Sequence, residues 1–205
     1  MVDHDIAGRG VRDEAVLAAM RRVPRHRFVS PGAGPAAYAD HPLPIGSGQT
    51  ISQPFIVAAM AEAAHLSPTD RVLEIGTGSG YGAAVLAELA ESVVTVERYR
   101  ELADHASALL DELGYDTVHV VVGDGTQGWP EGSPYDAIVV TAAGPEPPAP
   151  LLEQLADGGR LVIPLGRLRD GQDLVRLTRR GDRLDREKLG DVRFVPLIGE
   201  HGFPS

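Results

Sequence analysis

The sequence predicts an α/β fold in which helices cover a largely parallel β-sheet, preceded by an N-terminal helical and loop extension. From residue 71 onward, short apolar runs rich in β-branched residues alternate with segments of helical periodicity. The first apolar run ends in a glycine-rich turn, and the second and third apolar runs each end at an acidic residue. Such alternation is typical of parallel sheets whose strands are joined by helices.

The extension, residues 1–65, is predicted to hold two helices joined by a long loop. A helix over 13–22 begins after Asp13, whose side chain is suited to the N-cap position. A second helix begins at Pro54 and runs to about residue 64, because proline fits the first turn of a helix. Residues 23–53 are rich in proline and glycine and are predicted to be loop, and loops of that length are usually functional or disordered.

The remainder, residues 66–205, is predicted to be the cofactor-binding core of the same single domain. Predicted strands lie at residues 71–76, 92–97, 118–125, 135–143 and 160–166. Predicted helices lie at residues 80–90, 100–114 and 148–159. The tail, residues 173–199, contains one or two alternating segments, which suggest added, partly antiparallel strands.

Composition limits the class of protein. The 29 acidic and 19 basic residues give a net charge of −10, which argues against a nucleic-acid partner, since Lys and Arg hold phosphate backbones. The chain has no cysteine, which excludes disulfides and thiolate chemistry. No run approaches the roughly 20 apolar residues that span a bilayer. We therefore expect a cytoplasmic protein with no membrane partner. We also expect a monomer. The seven histidines lack metal-ligand spacing, so no metal site is predicted.

A ligand site is predicted where the first three strands of the core end. Gly76, Gly78 and Gly80 allow a tight turn and close approach of the backbone to a ligand. Glu97 ends the second strand, where an acid can accept hydrogen bonds from ribose hydroxyls. Asp124 closes the third strand, where it could meet an adenine amino group. In a parallel sheet these three strand ends share one edge.

The glycines alone leave the ligand open. The dinucleotide pattern G-x-G-x-x-G fails from Gly76, because Tyr81 occupies its last place, but the stretch from Gly78 satisfies G-x-G-x-x-A. A nicotinamide-dependent oxidoreductase therefore stays open at this point. Glu74 favours a different ligand, because a carboxylate repels pyrophosphate and suits a cation. S-adenosylmethionine carries a sulfonium and an amino group and no phosphate.

These motifs resemble those of class I S-adenosylmethionine-dependent methyltransferases. Within that class, "PLPIGSGQTISQPFIVAAM" at residues 42–60 resembles the hallmark of the protein-L-isoaspartate O-methyltransferase family, and the similarity extends over about residues 10–200. The resemblance implies a doubly wound, Rossmann-like sheet of about seven strands. It also implies methyl transfer to the α-carboxylate of L-isoaspartyl residues in damaged proteins, leaving S-adenosylhomocysteine. The ester then collapses to a succinimide, which can reopen to aspartate.

The resemblance also assigns roles to residues. Ser52 would be the active-site serine and would contact the substrate together with Val57 and Gln172. Some relatives carry a histidine in place of Val57, so that its contact would be lost here. The methyl donor would contact Gln49, Thr50, Ile51, Ser52, Glu74, Gly76, Thr77, Gly78, Ser79, Gly80, Glu97, Arg98, Asp124, Gly125 and Thr141.

Local chemistry leaves other interpretations of the same residues open. Ser52 and Thr50 could simply cap the helix that starts at Pro54. A carboxylate acceptor is already ionised near neutral pH, so no strong general base is needed, and we expect Ser52 to orient the acceptor. The alternatives for the whole protein are methylation of a dedicated peptide aspartate, an oxidoreductase, and a non-catalytic protein that binds the methyl donor.

Overall fold

The computed structural model describes residues 1–167 and 171–204, which form a β-sheet with helices on both faces and a short separate hairpin. The strands are β1 Leu43–Gly46, β2 Gln49–Ile51, β3 Arg71–Ile75, β4 Ser92–Glu97, β5 Val118–Val122, β6 Tyr135–Val140, β7 Leu155–Arg167, β8 Gly171–Arg180 and β9 Arg183–Val192. The α-helices are α1 Glu14–Arg22, α2 Pro54–Ala64, α3 Tyr81–Ala87, α4 Arg100–Glu112 and α5 Ala149–Glu153. The predicted core also includes residues 168–170 and 205, which lie outside the described residues.

The main sheet has seven strands in the order β5-β4-β3-β6-β7-β8-β9 across the described residues. Strands β5, β4, β3, β6 and β7 are parallel, while β8 is antiparallel to β7 and β9 is antiparallel to β8. The predicted α/β class, the strand number and the antiparallel addition are therefore confirmed. β3, β4 and β5 are neighbours, so their carboxyl ends share one edge as expected.

Successive residues of the central strands point into two different cores. Val72, Ala137 and Val139 pack with α1, α2 and α3 on one face of the sheet. Leu73 and Ile138 pack on the other face with residues of α5 and β7. Successive side chains of a strand point to opposite faces of the sheet. Because both faces of this sheet are covered, the central strands are apolar at nearly every position.

The predicted helix over residues 148–159 is wrong beyond Glu153. β7 begins at Leu155, and the backbone N–H of Tyr135 donates to the carbonyl of Gln154 at 2.9 Å. Two glycines disfavour helix at the end of this segment, and Gly158 adopts a φ of +79°. Pairing with β6 therefore replaces helix here, through an irregularity in the ladder between Tyr135 and Ala137.

Both predicted helices of the extension are present. Asp13 caps α1, since its Oδ1 accepts hydrogen bonds from the backbone N–H groups of Ala15 and Val16. The loop predicted over 23–53 is more ordered than expected. It contains two 3₁₀ turns and the hairpin β1–β2, which turns at Ser47 and Gly48 with positive φ at both.

The positive φ values explain the glycine-rich hairpin sequence. A two-residue hairpin loop favours positive φ at both central positions, because that twist matches the flanking strands. Ser47 has φ of 48° and Gly48 has φ of 68°. The hairpin leads directly through Ser52 and Gln53 into α2.

Among the described residues, no helix is both long and apolar enough to cross a membrane.

Candidate active site

A cleft opens at the carboxyl ends of β3, β4 and β6, beside the hairpin β1–β2, and is called the first cleft below. It brings together most of the residues predicted to contact the methyl donor: Gln49, Thr50, Ile51, Ser52, Glu74, Gly76, Thr77, Gly78, Ser79, Glu97, Arg98, Gly125 and Thr141. Val57 lines it as well. Tyr81 and the segment 195–198 also contribute to its wall, although the sequence motifs do not assign them to the site.

The turn after β3 approaches β6 so closely that it requires glycine. Gly76 has a φ of +96°, and a Cβ on it would collide with the hydroxyl of Thr141. That hydroxyl is fixed, because its Oγ1 donates to the carbonyls of Ile75 at 3.0 Å and of Gly76 at 2.8 Å. Thr141 therefore locks the glycine turn to the end of β6, where both form the floor of the first cleft.

We expect Gly76→Ala to weaken S-adenosylhomocysteine binding by at least about tenfold, because the turn must move to clear Thr141. The matched control is Gly114→Ala, at a position with a φ of +79° and no atom within 4 Å of the added Cβ. Both variants should lose about 1–2 kcal/mol of stability from the left-handed backbone. Calorimetric titration separates them, and equal affinity in the two variants would contradict the role given to the turn.

Glu97 fixes the same turn from β4. Its side chain is 5% exposed, and Oε2 accepts a hydrogen bond from the backbone N–H of Gly78 at 2.9 Å. Oε1 accepts from the backbone N–H of Tyr99 at 3.0 Å. A carboxylate has about four acceptor positions, so two remain for hydroxyl groups in the first cleft. This geometry supports the predicted contact with a ribose.

Glu74 lies beneath the glycine turn and is 1% exposed. Its Oε2 accepts a hydrogen bond from Thr95 Oγ1 at 2.6 Å, and that hydroxyl lies 2.7 Å from Thr77 Oγ1. Burial raises the pKa of Glu74 to about 8, the Thr95 hydrogen bond opposes this rise, and the negative charge of Glu97 adds to it. Gly82 leaves room for this carboxyl, since a Cβ there would collide with Glu74 Oε1.

Two predicted contacts of the methyl donor lie beside the lining of the first cleft. A Cβ on Gly80 would lie 3.3 Å from the side chains of Ala106 and Leu110, so this glycine allows α3 to approach α4 closely. Asp124 accepts hydrogen bonds from the N–H and hydroxyl of Thr126 and, at 2.8 Å, from the N–H of Glu200. These hydrogen bonds lower its pKa against the effect of burial, and they tie the C-terminal segment to the end of β5.

Ser52 does not cap α2. The N-cap residue is Gln53, which makes no capping hydrogen bond with its side chain. Asp40, which is remote from α2 in the sequence, caps the helix instead: its Oδ1 accepts a hydrogen bond from the backbone N–H of Phe55 at 3.0 Å. Within the described residues, the Ser52 hydroxyl makes no hydrogen bond, whereas its main-chain carbonyl accepts one from Arg25 Nη2 at 2.8 Å. The hydroxyl is thus available to a ligand.

A second groove adjoins the first cleft. Four residues line both: Thr50, Ser52, Thr141 and Val195. Gln172 lines only the second groove, and it is 4% exposed. Its Oε1 accepts from the Phe194 N–H at 2.6 Å, and its Nε2 donates to the Phe194 carbonyl at 3.3 Å. Gln172 therefore holds the segment that forms one wall of the groove.

The ionisable groups of the first cleft favour one of the two ligand classes. Its lining contains two carboxyl groups, those of Glu74 and Glu97, and Arg98 is the one Lys or Arg side chain among the described lining residues. Such a lining suits a ligand with hydroxyl and cationic groups, and it is poorly suited to a pyrophosphate. These residues therefore fit S-adenosylmethionine better than a nicotinamide dinucleotide.

No group of three or more His, Asp or Glu that could hold a metal ion is found among residues 1–167 and 171–204.

Comparison with known proteins agrees with this geometry. A family model described as protein-L-isoaspartate(D-aspartate) O-methyltransferase matches residues 1–202. The chain is 59% identical to protein-L-isoaspartate O-methyltransferase 2 of Pelobacter propionicus, over 99% of this chain and 91% of that protein. It is also 59% identical to the protein-L-isoaspartate O-methyltransferase of Methanoregula boonei, over 100% of this chain and 94% of that protein.

Solved structures show the same similarity. One protein-L-isoaspartate O-methyltransferase superposes with a TM-score of 0.87 at 32% identity, over 98% of this chain and 67% of that one. A Plasmodium falciparum protein assigned to the same enzymes, in complex with S-adenosyl-L-homocysteine, superposes with a TM-score of 0.82 at 26% identity. That alignment covers 96% of each chain.

Proposed function

The chain belongs to the protein-L-isoaspartate(D-aspartate) O-methyltransferase family, and from this premise we propose how its two adjoining sites divide the reaction. The activity is S-adenosylmethionine-dependent methylation of L-isoaspartyl residues, which begins their conversion to aspartate through a succinimide. The first cleft holds the methyl donor, and the second groove receives the isoaspartyl segment of a protein or peptide. The observation that carries this division is that the two sites meet at Ser52 and Thr141.

The residues of the first cleft suit the chemical groups of the methyl donor. Glu97 would accept hydrogen bonds from the ribose hydroxyls, and the carboxyl group of Glu74 would lie on the side of the cationic part. Gly76 and Gly78 let the backbone approach the ligand closely. When bound, S-adenosylmethionine supplies a methyl group on a positively charged sulfur. The apolar side chains of Ile75, which lines the first cleft, and its neighbours help to exclude water from this site.

Ser52 acts on the acceptor side. The isoaspartyl α-carboxylate is ionised at neutral pH, so the protein has to orient it and shield it from water. The Ser52 hydroxyl makes no hydrogen bond to the described residues and lies where the first cleft meets the second groove. It donates a hydrogen bond to the carboxylate and thereby fixes the angle of approach. Both sites are formed by one chain, so a monomer suffices for the reaction.

Methylation of one dedicated peptide aspartate is not favoured. Relatives that share 59% identity over nearly the whole chain are protein-L-isoaspartate O-methyltransferases. The second groove is lined by residues 191–195 and reaches Ser52, so a peptide in extended form could lie along it. A groove of this kind accepts different flanking residues, provided that the peptide backbone can lie along it.

The experiment that tests this function is transfer of labelled methyl from S-adenosylmethionine to an isoaspartyl peptide, with the aspartyl isomer of the same sequence as control. We expect labelling of the isoaspartyl peptide alone. The two isomers differ only in which carboxyl group is free, so equal labelling of both would contradict a repair function. Absence of labelling in both would show that the acceptor is of another class.

A further inference from the structure

One buried cation has no part in the proposed chemistry. Arg25 begins a 3₁₀ turn over Arg25–Phe28 in the extension, and its exposed fraction is 0%. A charge is costly to remove from water unless hydrogen bonds and opposing charge or an aromatic face compensate for it. A cluster of basic residues is usually a solvated surface. Arg27, which pairs with Glu112, is exposed, whereas Arg25 in the same turn is buried.

The contacts of Arg25 join three parts of the molecule. Its Nε donates to the carbonyl of Ala37 at 2.8 Å, within the long loop of the extension. Its Nη2 donates to the carbonyl of Ser52 at 2.8 Å. Its Cζ lies 4.7 Å from the ring centroid of Tyr81, the first residue of α3, which lines the first cleft. Nη1 is buried without a hydrogen-bond partner in the described residues, and the Tyr81 ring offsets part of the cost of burying the guanidinium.

The Ser52 peptide has few other restraints. β2 ends at Ile51, and the first hydrogen bonds of α2 are accepted by the carbonyl of Gln53, from Ile56 at 3.0 Å and Val57 at 3.2 Å. The Ser52 carbonyl therefore lies between strand and helix and outside both ladders. The planar guanidinium presents its donors in a fixed fork, so its contacts with the loop and the ring determine where the Ser52 carbonyl must lie.

We infer that Arg25 is a positioning residue, which sets the place of the Ser52 backbone, and with it the hydroxyl, relative to the first cleft. This inference rests on the proposed function of Ser52 in orienting the acceptor carboxylate. Arg25 lines neither site itself, but it contacts Ser52, which lines both sites, and Tyr81, which lines the first cleft. Its effect on the acceptor carboxylate passes through Ser52. Its effect should therefore depend on the presence of the hydroxyl, whereas a role in folding would not.

Arg25→Lys keeps the positive charge and removes the fork. We expect kcat for an isoaspartyl peptide to fall by about tenfold to a hundredfold, because a misplacement of about 1 Å can cost about a hundredfold. The affinity for S-adenosylhomocysteine should be kept, since Arg25 makes no hydrogen bond to Glu97 or to the glycine turn. Assays at saturating S-adenosylmethionine compare folded proteins, because ligand binding stabilises the native state. Wild-type kcat in this variant would overturn the inference.

A double-mutant cycle with Ser52→Ala separates positioning from general stabilisation. When the hydroxyl is absent, Arg25→Lys should cause no further loss of kcat, because two residues that act through one interaction are not additive. Losses that multiply would show that Arg25 acts independently of Ser52, and would overturn the inference. An unchanged kcat in Ser52→Ala alone would contradict the proposed role of the serine itself. Multiplying losses in the double variant would instead contradict only the role of Arg25, so the two failures can be told apart.

Arg160 provides the matched control. It too donates to two backbone carbonyls, those of Ala64 at 2.7 Å and His65 at 2.5 Å, but it does so at the opposite end of α2. Arg160→Lys should lower Tm and leave kcat unchanged. If Arg25→Lys behaved in the same way, with a lower Tm and an unchanged kcat, Arg25 would have only a structural role.

Discussion

Ser52→Ala is expected to lower kcat for an isoaspartyl peptide by about two to three orders of magnitude, the range found when one positioned hydrogen-bond donor is removed from an active site. Its hydroxyl lies where the first cleft meets the second groove and is not consumed in capping α2. Without it the acceptor carboxylate can rotate away from the line of attack. Binding of S-adenosylhomocysteine should persist, since Glu97 and the glycine turn are untouched.

Two further variants complete this test. Ser52→Thr retains a hydroxyl and should recover part of the lost kcat. Ser30→Ala removes a hydroxyl from an exposed position in the same extension and should change neither kcat nor binding. Steady-state assays at saturating methyl donor, together with calorimetric titration of S-adenosylhomocysteine, distinguish these results. A Ser52→Ala enzyme with wild-type kcat would contradict the assigned role.

The methyl-donor half of the site could be predicted from the sequence because its determinants are local. The glycine turn immediately follows β3, and Glu97 ends the adjacent parallel strand, so strand order alone brings them together. The fold class is predicted for the same reason. The alternation of strands and helices leaves few topologies open, and parallel strands share one edge.

The acceptor half depends on contacts that no local pattern indicates. Arg25 meets Ser52 across 27 positions of the chain, and a cluster of basic residues is usually a solvated surface. Asp40, which caps α2, lies 15 positions before Phe55, so it is missed by any rule for nearby capping residues. The hairpin β1–β2 was also missed, because its strands are only four and three residues long.

Two predicted site residues have structural contacts that the sequence did not indicate, and their predicted contacts with ligands stay predictions. Gln172 was expected to bind substrate, and both ends of its amide hydrogen-bond to Phe194. Asp124 is predicted to meet adenine, and its carboxylate accepts three hydrogen bonds from Thr126 and Glu200, which leave about one acceptor position. In each case the side chain secures the C-terminal segment that forms a wall of the site. Sequence patterns identify such residues as belonging to the site, but only the contacts show whether they bind ligand or hold a wall.

Glu74→Gln is expected to abolish a pH-dependent loss of stability that the wild-type protein shows without ligand. Burial raises the pKa of Glu74 to about 8 from an ordinary value of 4.5. The folded state therefore holds this proton at pH values where the unfolded state has released it. At about 1.4 kcal/mol per pH unit between the two pKa values, the greatest possible effect is about 5 kcal/mol.

The sign of the effect follows from which state binds the proton. Below pH 4.5 both states are protonated and the contribution of Glu74 to stability is complete. As the pH rises toward 8 the unfolded state alone gains from ionisation, so the free energy of unfolding falls. Glutamine has nearly the same shape and can accept the Thr95 hydrogen bond, but it cannot ionise. Its variant should lack this fall and should exceed the wild type in stability at pH 8.

Urea unfolding between pH 5 and pH 8.5, without ligand, measures the difference in slope between the two proteins. Glu91→Gln, which changes an exposed carboxylate, serves as the control and should keep the wild-type slope. Other groups titrate in this range, but they are common to all three proteins and cancel in the comparison. Parallel curves for wild type and Glu74→Gln would show that the buried carboxyl ionises as it does in the unfolded chain. In that case Glu74 would already carry its charge before a cationic ligand arrives, and the protein would bear the cost of a buried anion in order to bind that ligand.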